Sequence, residues 1–133
     1  MNTEIDFYKP KVKLLFKCPK INWTLENLRN LPRENGVYAL FNNDGTFLYV
    51  GESKNIYDRV YKHHRTGQAS ALRAKMQEYF GFKNTRELDD YLSCCYLQLT
   101  TIDYGRSELE EYIINKFHPI FNNFKVRLRK GLI

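Results

Sequence analysis

Two phenols, a guanidinium and an imidazole fall within a short span, and a carboxylate follows later in the chain. They are Tyr38, Tyr49, Arg59, His63 and Glu110. A guanidinium fork recognises phosphate or carboxylate. A phenol or imidazole within reach of the same group can position water or carry a proton. A carboxylate that points into a core must pair with a cation or bind a metal. The question is whether the chain brings these groups together.

The stretch that carries most of them is GVYALFNNDGTFLYVGESKNIYDR, residues 36–59. An alternating run over 36–41 meets Asn43-Asp44-Gly45 and continues into a second alternating run over 46–50, the pattern of a β-hairpin. With a two-residue Asp44-Gly45 turn, Leu40 lies opposite Tyr49 and Tyr38 opposite Gly51. Both tyrosines then share one sheet face, while Val37, Ala39, Phe41, Leu48 and Val50 share the other. Gly51 has no side chain, which leaves the place facing Tyr38 open for a phosphate. A change of one residue in the turn would put the tyrosines on opposite faces. After Gly51 the period changes, and Ser53 can cap a helix through Ile56, Tyr57 and Val60. At about 100° per residue, Arg59 and His63 fall on its inward side, and His64 and Arg65 continue toward solvent.

In the last long helix, over 104–118, the same geometry centres Glu110 on the stripe of Leu109, Ile113, Ile114 and Phe117. Glu111 lies at its edge and Glu108 on the opposite face. Glu110 either pairs with Arg59 in a structural bridge or holds a metal.

The remaining elements brace this core. Residues 5–17 alternate Val12, Leu14 and Phe16 with lysines, apart from Leu15, and read as a strand with a basic outer face. Thr24 caps a short helix ending before Pro32. Residues 69–80 read as a helix ended by Gly81, with Arg73 and Lys75 more simply a solvated face than DNA contacts. Asn84 and Glu87 resemble a capping box. CCYLQLTTI alternates as a strand.

The motif has a known counterpart. Gly36-Val37-Tyr38, Tyr49-Val50-Gly51, Arg59, His63, Glu110 and Asn122 occur in this order. The pattern resembles the GIY-YIG nuclease superfamily, with Val in place of Ile in both triplets. The resemblance covers roughly residues 34–124. It implies an α+β fold: a small, mainly antiparallel three-stranded central sheet flanked by helices, preceded by an N-terminal strand and helix extension. The implied organisation is an extension over 1–33 packed on the domain, a nuclease domain over 34–124 and a basic tail over 125–133. The implied activity is divalent-metal-dependent hydrolysis of DNA phosphodiester bonds, leaving 5′-phosphate and 3′-hydroxyl ends. Tyr38, Tyr49, Arg59, His63 and Glu110 would be catalytic, and Glu110 would hold one Mg²⁺ or Mn²⁺ ion. Gly51, Lys54, His64, Arg65, Asn122, Lys125, Arg127, Arg129 and Lys130 are the candidates for contact with DNA. The alternative is a non-catalytic nucleic-acid-binding module using the same basic cleft.

Bulk properties fit a nucleic-acid partner. The chain has 133 residues and a net charge of +6, and a basic surface gains from releasing phosphate counterions. No apolar run approaches the length of a membrane span, and the start of the chain has no secretory apolar core. Three cysteines with an adjacent pair do not form a disulfide framework, so the expectation is a cytoplasmic protein with reduced thiols. A homodimer is left open. Cys94-Cys95 lacks zinc-ligand spacing, and there is no P-loop and no nucleophile elbow.

Overall fold

The hairpin that carries both tyrosines closes through a three-residue loop rather than two. Asn42 donates its backbone N–H to the Thr46 carbonyl, and Gly45 donates to the Asn42 carbonyl. The Asn42 side-chain oxygen accepts from the Asp44 and Thr46 amides. Gly45 sits at φ 84°, which a residue without Cβ reaches at no steric cost. This loop alone would shift the register by one. A bulge at Leu48, between the Leu40 and Phe41 pairings, shifts it back. Leu40 therefore still opposes Tyr49, and Tyr38 still opposes Gly51. The bulge also turns Leu48 onto the same side as Tyr38 and Leu40, whereas the simple alternation predicted the other face.

The computed structural model describes residues 3–66 and 70–123, with side chains from residue 8. Its sheet runs β1 (Ile21–Asn22), β4 (Tyr96–Thr101), β2 (Gly36–Phe41) and β3 (Phe47–Ser53), in that spatial order. Every neighbouring pair is antiparallel. The fold is thus α+β with an antiparallel sheet flanked by helices, as expected. The sheet gains a fourth strand from the N-terminal extension, where Ile21 and Asn22 pair with Leu97 and Tyr96.

Residues 5–17 depart from expectation. They belong to a helix, α1 (Thr3–Lys17), with Pro10 inside it. Val12 and Leu15 are buried, Phe16 is half-buried and Leu14 is 58% exposed. Spacings of three and four residues are the helical ones. Leu15, which broke the alternation, marked the true period. This helix and α5 (Arg106–Phe117) cover the sheet face bearing Val37, Ala39, Phe41 and Val50.

The other face carries Tyr38, Leu40, Leu48 and Leu97. It is covered by residues of α2 (Leu25–Arg29), of the helix after β3, of α3 (Ala71–Phe80), of α4 (Thr85–Leu92) and of α6 (Ile120–Asn123). The caps predicted at Thr24 and Asn84 form, and Gly81 ends α3 at φ 70°. Ser53 instead ends β3, and the Asn55 side chain accepts from the Asp58 amide at 3.0 Å to start the next helix. That helix becomes a π-helix over Asp58–His64. Arg65 donates to the Val60 carbonyl, five residues back, at 2.9 Å.

Candidate active site

Strand β3 is an edge of the sheet, and the candidate residues gather along it. Tyr38 comes from the neighbouring strand and is 2% exposed. Its hydroxyl lies over Gly51, where an added Cβ would overlap the phenol oxygen and ring. The space facing Tyr38 is therefore filled by its own ring, not left open for a phosphate. Gly51→Ala is accordingly expected to cost about 1–3 kcal/mol, the usual penalty for overpacking, read by denaturant unfolding. Wild-type stability in that variant would mean that the strands yield freely at this pair.

The phenol has a partner that the motif spacing did not select. His64, 5% exposed, places Nε2 at 2.7 Å from the Tyr38 hydroxyl. His63, expected inward, is exposed. The π-helix explains the exchange. Its wider turn changes the angular step along the helix, so that His64, rather than His63, joins Val60 on the buried side. The expectation that His64 points to solvent and touches DNA is corrected on the same ground. Tyr49 completes a cluster of rings, 6.3 Å from Tyr38 and 5.8 Å from His64 between centroids.

Arg59 is exposed, so the inward placement expected for it is not what the fold gives. Among the described residues the ion pairs are Lys62–Asp58, Arg73–Asp89 and Arg106–Glu52. The structural Arg59–Glu110 bridge is not formed. The Arg59 charge nonetheless reaches Tyr38, Tyr49, His64 and Glu110.

Burial, then the neighbouring Tyr49, raises the Tyr38 phenol well above its usual pKa, with Arg59 opposing. Burial and Glu110 push Tyr49 upward, again against Arg59. Burial first, then Arg59, lowers His64 to about 3, so its imidazole is neutral, with a proton on one ring nitrogen and a lone pair on the other. Burial and the adjacent Glu52 raise Glu110 to about 7, against a backbone hydrogen bond from Glu52 and the Arg59 charge.

Glu52 went unassigned in the sequence. Its carboxylate accepts from Arg106 Nε at 3.1 Å and from Ser107 Oγ at 3.0 Å, both in the first turn of α5. Glu110 is one turn further along the same helix. Charged neighbours this distant in the chain leave no local signal.

The other candidates divide. The Asn122 side-chain amide donates to the Val50 carbonyl and accepts from the Val50 amide, each at 2.8 Å. It caps the exposed edge of β3, and both its polar ends are used, which accounts for it without DNA. Lys54 is exposed in the bend after β3. Arg65 is half-buried, its guanidinium stacked 4.1 Å from the Tyr61 ring. Arg73 is a buried structural arginine rather than a solvated one. Lys125, Arg127, Arg129 and Lys130 lie outside the described residues.

This antiparallel sheet, with two tyrosines and an arginine converging on its β3 edge and a glutamate arriving from α5, has a match in known families. Residues 34–126 match the model of the GIY-YIG catalytic domain, and the chain belongs to that family. UvrABC system protein C of Bacteroides thetaiotaomicron is 32% identical over 97 residues, covering 70% of this chain. The same protein of Prosthecochloris aestuarii is 31% identical over 97 residues, covering 73%. This chain spans only 13% and 14% of the length of those two relatives. Among solved structures, the GIY-YIG N-terminal endonuclease domain of UvrC from Thermotoga maritima, bound to magnesium, shares the fold. The TM-score is 0.50 at 19% identity, over 73% of this chain and 92% of that one. No helix among the described residues is long and apolar enough to cross a membrane.

Proposed function

We propose that this chain is a divalent-metal-dependent DNA endonuclease that leaves 5′-phosphate and 3′-hydroxyl ends. The observation that carries this reading is the hydrogen bond between a buried tyrosine and a neutral histidine, beside an arginine that forms no ion pair among the described residues.

Tyr38 orients the attacking water and takes its proton while passing its own to His64 Nε2, 2.7 Å away. Concerted transfer avoids a free phenolate, which burial disfavours. The imidazolium it produces is disfavoured as well, so His64 holds the proton only until it is passed back through Tyr38 to the leaving oxygen or solvent. Tyr49, half-buried beside Tyr38, orients the phosphate. Arg59 meets the phosphoryl oxygens with its planar fork.

Glu110 fits a hard divalent cation. It is a partly desolvated carboxylate beside a second carboxylate, Glu52, and the local repulsion of negative charge favours a cation. Mg²⁺ and Mn²⁺ keep several waters, so few protein carboxylates are needed to hold either ion. When bound, the ion would stabilise charge on the phosphate and the leaving oxygen. The Thermotoga maritima domain that shares the fold was solved bound to magnesium as its catalytic divalent cation.

The test is purified protein with Mg²⁺, Mn²⁺ or EDTA on single-stranded, duplex and branched DNA. Metal-dependent cleavage is expected. DNA binding with no cleavage under any divalent condition would favour the non-catalytic binding module. In the same protein, neutralising Lys125, Arg127, Arg129 and Lys130 is expected to flatten the log–log salt dependence of binding, by roughly one for each phosphate that the tail no longer neutralises. An unchanged slope would remove the tail from the interface.

A further inference from the structure

Ser70 lies beyond the motif, at the start of α3, yet it touches the histidine that the proposed chemistry uses. It is 5% exposed, and its Oγ lies 2.9 Å from His64 Nδ1. The same oxygen accepts from the Arg73 amide at 3.3 Å as the N-cap of α3. Arg73 holds the histidine from behind. Its Nη1 donates to the carbonyls of His64 at 3.1 Å and Arg65 at 2.8 Å, and its Nη2 pairs with Asp89 at 2.8 Å. The end of the π-helix is thus tied to α3 at two main-chain carbonyls and one ring nitrogen.

An imidazole can serve Tyr38 as a proton acceptor only if Nε2 carries the lone pair, which requires the proton on Nδ1. The phenol is a stronger donor than the serine alcohol, which favours a buried row of bonds running from Tyr38 through His64 to Ser70. An N-cap oxygen is already an acceptor for the helix, which suits it to receive Nδ1–H as well.

We propose that Ser70 is a positioning residue that selects the Nδ1–H tautomer of His64, with Arg73 fixing the backbone on which that histidine stands. The role rests on the reading of Tyr38 and His64 as the proton-handling pair. The chemistry is tautomer selection by a second hydrogen bond, the device by which a ring nitrogen's partner decides what the opposite nitrogen can do.

The test uses Ser70→Gly and Ser70→Thr in the full chain. Glycine removes the hydroxyl yet retains most of the cap's stability, and threonine keeps both. The first readout is the imidazole ¹⁵N–¹H long-range NMR spectrum of the DNA-free protein, which reports the protonated nitrogen. Wild type is expected to carry the proton on Nδ1, Ser70→Gly to lose that preference, and Ser70→Thr to restore it. The second readout sets single-turnover cleavage beside DNA affinity. Ser70→Gly is expected to slow cleavage on the order of tenfold to a hundredfold, part of what acid–base catalysis contributes, with affinity unchanged. A proton on Nε2 in wild type, or an unaltered tautomer in Ser70→Gly, would overturn the proposal. A wild type that shows the Ser70-dependent tautomer but cleaves no DNA would uphold Ser70's hold on His64 and overturn only the nuclease reading.

Discussion

Replacing Glu110 with Ala or Gln is expected to abolish metal-dependent cleavage while leaving the fold intact, and Glu108→Ala is expected to be nearly silent. Glu110 is half-buried beside Glu52, whereas Glu108 is exposed on the other side of α5. The same environment makes a thermodynamic prediction that needs no substrate. Burial and Glu52 raise the Glu110 carboxyl from 4.5 to about 7. Between those values the folded protein holds a proton that the unfolded chain releases, so this group's contribution to stability falls as pH rises through that window. Above pH 7 the metal-free site carries an ionised, partly desolvated carboxylate. Glu110→Gln should therefore match or exceed wild-type melting temperature at pH 8 and lose that advantage toward pH 5. A divalent ion needs the ionised carboxylate, so Mn²⁺ affinity should weaken as pH drops below about 7. Normal Mg²⁺-dependent activity in Glu110→Ala would remove the assignment. So would a stability difference between Glu110→Gln and wild type that does not grow with pH.

How much of this was legible in the sequence depends on the range of the interaction. The hairpin was, because Asp44-Gly45 and two alternating runs are local signals. Its register came out right through two compensating features, a longer loop and a bulge at Leu48. Only Leu48's own face betrays them. Glu110's place on its helix was legible because α5 is regular. His63 and His64 were exchanged because the helix that carries them is not regular. A fixed 100° step cannot anticipate a π-turn, whose partners lie in other elements: Ser70 and Arg73 on α3, Asp89 on α4, Tyr38 on β2. For the same reason Arg73 read as a solvated cation, and Glu52 went unassigned. Residues 5–17 were misassigned for a different reason. Lysines between apolar residues mimic strand alternation, and Pro10 discourages a helix assignment, whereas burial of Val12 and Leu15 against the sheet settles the period.

Arg59→Lys should separate catalysis from binding. The fold assigns Arg59 no structural bridge: among the described residues it forms no ion pair, and its side chain is exposed. Substitution is therefore expected to leave stability within about 0.5 kcal/mol, the usual range for surface changes. Lysine keeps the charge that reaches Tyr38, Tyr49, His64 and Glu110, so ground-state attraction of a phosphate should survive within a few-fold. It loses the planar fork, which can meet two phosphoryl oxygens at once. Only interactions stronger in the transition state than in the ground state accelerate the step. Removing one such preorganised donor typically costs on the order of a hundred- to a thousandfold in rate. The expected result is near-normal DNA affinity with cleavage slower by at least about a hundredfold, read from single-turnover rates beside binding titrations. Equal losses in rate and affinity would place Arg59 in ground-state binding. Near-normal cleavage would remove it from the chemistry and leave Tyr38, His64 and the carboxylates to act without a phosphate clamp.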